Sequence, residues 1–389
     1  MIPPRGFPQP EFEKRLVCAH EMMAAAGLDA LWLTTEAEVR YFTGFLTQFW
    51  QSPTRPWFLV IPKSGKPIAV IPGIGAECMG RTWIDDIRTW SAPDLVDDGI
   101  TLLADTLREV GGAHAQIGLP MGHETHLRMP QADYERLRSL LPGMVFTDAT
   151  PIVRQLRMVK SEVEIEKISH ACHLVSDAFD QAPSLFSVGQ TESDIFRAFK
   201  IECLKQGVDD VAYLVGGAGA DGYGDIISPP SERAVTYGDV LILDTGCTFD
   251  GYFCDFDRNF AFGKTNDAVR RAYEVVFQAT EAGLNIARPG ATCAELFHAM
   301  HKVMSDAGAL ESSGGVGRLG HGLGMQLTEW PSHTHQDNTI LKAGMVLTLE
   351  PSMTFASGKV MVHEENIVIR DSGAELLSRR AAPQLPVIN

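Results

Sequence analysis

The sequence predicts an α+β protein of two domains, an α/β domain followed by a second of long helices and a strand-rich end. Three observations carry this. The chain has 389 residues, more than one ordinary core accommodates. Over its first part, of roughly 150 residues, short apolar strands alternate with helical stretches, the pattern of a compact α/β domain. Around Asp148–Lys160 the pattern changes, and long amphipathic helices and a hairpin follow. The expected domains are residues 1–155 and 156–389.

In the first domain, Glu11–Ala26 reads as a helix closed by Gly27. Ala30–Leu33 reads as a strand, Glu38–Gly44 as helix and turn, and Trp57–Ile61 and Ile68–Ile71 as strands joined at Lys63-Ser64-Gly65-Lys66. A helix at Asp98–Val110, a strand at Gln116–Leu119 and a helix near Gln131–Leu141 complete it. The aromatic stretch from Tyr41 to Phe58 reads as core and sheet packing. Arg55, in the turn before Trp57, is a candidate carboxylate clamp as well as an ordinary surface arginine.

In the second domain, Ser161 and Glu164 form a capping-box pattern opening a helix to about Asp180. Thr191 has an N-cap pattern before a helix to Lys205. Gly216–Ala220 reads as a glycine-rich loop where backbones approach closely; without a following helix it is no phosphate cradle. Val240–Phe262 then reads as two apolar strands about the Asp250-Gly251 turn, a strong hairpin signal. Helices at Asn266–Ala287 and Cys293–Gly308 follow, then strands at Met345–Leu349 and Met361–Ile369.

Composition narrows the function. Hydrophobic content of 45% and charged content of 21% describe a soluble globular chain. A net charge of −16 disfavours nucleic acid and anionic membrane surfaces as partners. The seven cysteines are odd in number and scattered without a CxxC, as expected of reduced thiols in the cytoplasm. No apolar run approaches the roughly 20 residues of a membrane span, and the N-terminus has no signal-peptide pattern.

The hairpin carries the chemistry. Asp244 lies in its first strand and Asp255 in its second, both in apolar company. Carboxylates are poor strand formers, and two facing each other repel unless a positive charge lies between them. Three further segments add candidates: His321 between glycines in Gly320–Gly324, Glu350 at the end of a strand before Pro351, and Glu364 with Glu365 interrupting MVHEENIVI. Asp244, Asp255, Glu350 and Glu364, with His321 as the one nitrogen, suit two divalent cations whose charge they balance. Oxygen-rich ligation with one imidazole favours manganese, iron, cobalt or zinc. Such a pair can share a hydroxide and clamp a tetrahedral intermediate, which suits hydrolysis of an amide or related C–N bond.

Asp244-Thr-Gly with Asp255 eleven residues on, Gly320-His321-Gly322-x-Gly324, Leu349-Glu350-Pro351 and Val362-His363-Glu364-Glu365 come in the order and spacing of a known family. Together they resemble the Xaa-Pro aminopeptidase / prolidase / creatinase family, over essentially the whole chain. The resemblance implies a creatinase-like α/β N-terminal domain, a pita-bread catalytic domain and a homodimer. It implies Asp244, Asp255, His321, Glu350 and Glu364 as ligands of two divalent metal ions, with Asp255 and Glu364 bridging, His321 in the catalytic centre and Glu350 as acid/base. Manganese is the first expectation, with cobalt, zinc or iron as alternatives. The expected substrate is a short peptide or peptide-like amide.

Several positions depart from the family, among them Ser352-Met353-Thr354-Phe355, where its members commonly have a glycine and then a tyrosine after the Glu-Pro. Its peptidases carry histidines where this chain has Ile227 and Thr328, and a threonine or serine where it has Asp257. His333 and His335 are candidate replacements, although they also read as a solvated loop pair. Asp257 adds a fifth acid, which Arg258, a substrate cation or a proton would offset; a pocket selecting cationic substrates is one expectation. The lost histidines leave open an enzyme of the same fold acting on a small nitrogenous or osmolyte-like molecule, as creatinase and ectoine hydrolase do. A non-catalytic binding module is a third reading.

Overall fold

Strands of the first 150 residues pair into one mixed sheet, whose central members are too apolar to face water on both sides. In the computed structural model, which describes residues 2–52, 55–310 and 317–389, the chain divides into two units, Pro4–Arg157 and, with the residues preceding Pro4, Met158–Asn389. The first holds β1 (Ala30–Leu33), β2 (Phe58–Pro62), β3 (Ile68–Pro72), β4 (Asp86–Trp90), β5 (Gln116–Leu119) and β6 (Val145–Asp148). Their order is β4-β3-β2-β1-β5-β6, with β1–β2 and β2–β3 antiparallel and the other pairs parallel. Trp32, Phe58, Val60 and Ile117 pack with Leu103 and Leu107 of the helix Ile100–Gly111. The strands β4 and β6 escape a sequence reading because their residues are polar and half-exposed.

Tyr41, Phe42, Trp57 and Phe58 are core residues, as expected. Arg55 lies over the Phe49 ring at 5.1 Å. Pro53 and Thr54 of the same turn lie outside the described residues.

The second unit is built on β7 (Asp210–Ala220), β8 (Asp239–Phe249), β9 (Tyr252–Phe253) and β10 (Phe256–Phe262). Strand order β18-β10-β8-β7, with β9 on β8 and β18 spanning Val387–Ile388, forms one sheet. A second sheet runs β12-β11-β13-β16-β17, from β11 (His321–Gly322), β12 (Glu329–Ser332), β13 (Val346–Leu349), β16 (Glu365–Arg370) and β17 (Gly373–Leu376). The ribbon β14 (Ser352–Ala356) with β15 (Lys359–Val362) completes it. Val240 and Ile242 of β8 share a core with Leu347, Leu349 and Ile367 and with the helices Asp267–Ile286 and Cys293–Asp306. Gly283 permits that helix pair, since a Cβ there would lie 3.1 Å from the Met300 sulfur.

Local chemistry explains these elements. Ser161 and Glu164 make both capping-box bonds of the helix Glu162–Asp180. Asp250 and Gly251 have φ of 46° and 75°, the paired positive values of a tight hairpin turn. The expected glycine-rich loop is instead the end of β7, in register with β8 from Gly216↔Leu243 to Ala220↔Asp239. A side chain at Gly216 would stand 2.3 Å from the Ile242 carbonyl oxygen, so the glycines serve close strand approach.

Candidate metal centre

Alternation along β8 sets the centre's orientation. Val240, Ile242 and Asp244 share one face, and the first two belong to the core beneath the second sheet. The β10 residues opposite them are Ala261, Asn259 and Asp257. The hairpin therefore opposes Asp244 with Asp257, where the sequence suggested Asp255. Asp255 precedes β10, in the break after β9.

That break is held from the other sheet. The Asn366 side chain accepts from the Asp255 amide at 2.9 Å and donates to the Asp255 carbonyl. Arg258 donates to the carbonyls of Asp257 at 2.6 Å and Glu364 at 2.9 Å. Its other nitrogen meets Glu365 at 3.0 Å. Arg258 therefore ties the two acid-bearing segments together and is engaged by Glu365, rather than serving Asp257 alone.

His321 enters from the second sheet. Gly320 has φ of 144°, and a Cβ there would strike the His333 ring at 2.3 Å and the Thr348 carbonyl at 2.4 Å. The His321 Nδ1 atom lies 2.8 Å from the Gly322 carbonyl oxygen. An atom so close to an acceptor carries the ring proton, which leaves the Nε2 lone pair free for a cation. Nε2 points to Asp255 Oδ2 at 3.4 Å and Glu350 Oε2 at 3.6 Å. Ligand atoms of Asp255, His321 and Glu364, all buried, lie within 4.8 Å of one another. Asp244 and Glu350 border this group, since each acts on the charge of Asp255 and Glu364.

Among the described residues of this unit, four buried side-chain polar atoms have no protein partner: Asp244 Oδ1, Asp257 Oδ2, Glu364 Oε1 and His333 Nδ1. Buried acids elsewhere in the unit are paired: Glu365 with Arg258 and Arg380, Asp250 with Lys167, Asp239 with Arg233. Burial, then the neighbouring carboxylates, drives the affinity for protons. Asp244 is pushed up to about 7 by burial and by Glu350. Asp255, Asp257 and Glu364 are pushed well above the ordinary carboxylate range, by burial first and then by neighbouring acids. Unpartnered acceptors crowding together call for protons or cations, and this donor set fits divalent cations.

Several neighbours are not among the candidates the sequence suggests. Tyr213, on β7, lies beside Asp244, and its acidity is suppressed by burial and by the Asp244 charge. Arg318 lies 3.6 Å from Glu350 through Nε, and its Nη2 meets the Thr328 hydroxyl at 3.4 Å. The Gly-x-Gly spacing before His321 could have drawn attention to Arg318; Tyr213 and Asn366 are brought in by tertiary structure alone. Ile227 is 74% exposed. His333 is fully buried behind Gly320, and burial pushes it down to about 3. It is therefore a neutral packing imidazole rather than half of a solvated pair, while His335 is exposed.

A pita-bread unit whose buried acids converge on one imidazole is that of a metal-dependent hydrolase. Residues 15–159 match the creatinase/prolidase N-terminal domain and residues 166–371 match metallopeptidase family M24. The chain belongs to family M24, which implies divalent metal ions and a peptide substrate. It is 26% identical over 382 residues to a probable dipeptidase PepE of Mycobacterium tuberculosis (strain ATCC 25618 / H37Rv), covering 95% of each chain. The structure of dipeptidase PepE from Mycobacterium ulcerans superposes with a TM-score of 0.85 at 27% identity, over 98% of this chain and 99% of that one. Prolidase from Thermococcus sibiricus shares the fold, with a TM-score of 0.86 at 22% identity, over 97% and 99% of the two chains. Among the described residues, no helix is long and apolar enough to cross a membrane.

Proposed function

We propose that the chain is a dinuclear metallohydrolase cleaving a short peptide of the Xaa-Pro dipeptide type. The convergence of His321 Nε2 with the buried acids Asp255 and Glu364 carries this reading. Asp244, Asp255, His321, Glu350 and Glu364 would hold two divalent cations, Asp255 and Glu364 being shared. Two cations held there would activate water at neutral pH and polarise the scissile carbonyl. Carboxylate-rich ligation makes manganese the first choice.

The chain's own groups divide the remaining work. Glu350 is more exposed than Asp255 beside His321, with 19% of its side chain accessible against 7%. In this reading it would take a proton from the attacking water and return it to the leaving nitrogen. Arg318, beside Glu350, offers a guanidinium fork to a substrate carboxylate. A free carboxylate near the scissile bond is what a dipeptide has and a long peptide lacks. The relatives named dipeptidase support the same size class.

A second reading, hydrolysis of a small non-peptide amide, is favoured by one observation. Ile227 and Thr328 stand where family peptidases carry imidazoles, and Thr328 instead meets Arg318. The homodimer and the cytoplasmic location expected from the sequence go with either reading. Manganese-loaded enzyme assayed against Xaa-Pro dipeptides, longer Xaa-Pro peptides and small amides separates the two. Turnover confined to dipeptides supports the first, and turnover of small amides alone supports the second.

A further inference from the structure

Asp257 is the one acid of the cluster that the metal set above leaves unused. It is 2% exposed, so its carboxylate faces protein rather than solvent. Its Oδ1 atom accepts a long 3.3 Å bond from Asn259 Nδ2, and its Oδ2 atom has no partner. Asn259 itself is committed elsewhere, donating to the Val362 carbonyl at 2.8 Å and accepting from the Tyr223 hydroxyl at 2.8 Å.

Its position is fixed by the strand register. Asp257 stands opposite Asp244, and cross-strand partners project to the same face about 5 Å apart. Asp244 also presents an unpartnered buried oxygen. Two acids with orphaned oxygens on one face repel, and the surrounding structure supplies neither with a cation of its own. Arg258, next in sequence, projects to the other face and is taken by Glu365.

We infer that Asp257 is a further ligand of the metal centre, joining Asp244 on one of the two cations. The inference rests on the metal-centre reading above. Five carboxylates with a single imidazole would make the centre harder than one with threonine at position 257, shifting selectivity toward oxygen-preferring ions such as Mn²⁺.

The test is Mn²⁺ binding to the purified full-length chain, by equilibrium dialysis with elemental analysis and by the Mn²⁺ electron paramagnetic resonance spectrum. Asp257→Asn keeps the shape and introduces a hydrogen-bond donor but removes the ligand charge. Asp257→Thr provides a second, smaller replacement. The expected result is that one of two sites weakens by at least about 10-fold in both variants, on the scale of losses around metal sites. A changed resonance spectrum and unchanged binding at the other site are expected alongside. Two full-affinity sites in Asp257→Asn, with an unaltered spectrum, would show Asp257 to be a neutral hydrogen-bond donor and overturn the assignment. Wild-type chain binding no Mn²⁺ would instead overturn the underlying metal-centre reading, and this assignment with it.

Discussion

The Asn366 side chain holds Asp255 by its backbone, accepting from the amide at 2.9 Å and donating to the carbonyl. This pair of bonds carries the second sheet's geometry directly to a candidate ligand that stands outside regular strand. Replacing Asn366 with alanine leaves a buried amide and carbonyl without those partners, a cost of about 1–3 kcal/mol for each. Metal affinity is expected to fall about 10–100-fold. Denaturant unfolding and a Mn²⁺ titration of Asn366→Ala check both; unaltered affinity would show that Asp255 is placed by other contacts.

Glu350→Gln removes the proton acceptor while keeping an oxygen toward His321. A loss of about 10²–10⁴ in kcat is expected, the scale of general acid–base catalysis. Steady-state kinetics on the preferred dipeptide, with metal content measured in parallel, separates lost chemistry from lost metal.

Arg318→Ala tests the carboxylate fork. The KM for a dipeptide with a free carboxylate is expected to rise about 10-fold or more, as for loss of a charge-assisted hydrogen bond. The same dipeptide as its C-terminal amide is expected to change little. Equal effects on both substrates would assign Arg318 to Glu350 alone.

The metal-free protein is expected to lose stability above pH 6.5. Asp244, pushed up to about 7, and Asp255, Asp257 and Glu364, also raised, hold protons more tightly folded than unfolded. Their stabilisation is full below about pH 4 and is lost as pH rises through the folded values. His333 and His363, each pushed down to about 3 by burial, act oppositely. Their contribution is complete above about 6.5 and lost on acidification. Above that pH the histidine contribution is constant, while the acids continue to lose protons. Thermal unfolding with chelator at pH 6.5 and pH 9 is expected to give a lower Tm at pH 9, and saturating Mn²⁺ to reduce the difference.

Gly320→Ala is expected to disturb His321 without touching a ligand. The added methyl would meet the His333 ring at 2.3 Å and the Thr348 carbonyl at 2.4 Å, at a φ of 144°. Overpacking of this kind costs about 1–3 kcal/mol. A lowered Tm together with weakened metal binding is the expected pair of results.

Much of this was legible in the sequence because the relevant signals are local. The Asp250-Gly251 turn, the capping box at Ser161 and the apolar stretch Val240–Leu243 each declare an element within a few residues. The α+β class and the family followed from them and from the spaced motifs. Register was not legible. Asp244 and Asp255 looked like partners, but the break between β9 and β10 puts Asp257 opposite Asp244. Residues that act across long sequence separations also gave no sign: Asn366 reaches Asp255, and Tyr213 reaches Asp244 from the neighbouring strand. His333 read as solvated because its neighbours are polar, yet the bare backbone of Gly320 admits its ring to the interior.

A crystal structure of the chain grown with Mn²⁺, with anomalous scattering recorded, tests the metal centre most directly. The expected result is two anomalous peaks, about 3.5–4 Å apart as in two-metal hydrolases, with Asp255 and Glu364 reaching both and His321 reaching one. A single peak, or none among Asp244, Asp255, His321, Glu350 and Glu364, would contradict it.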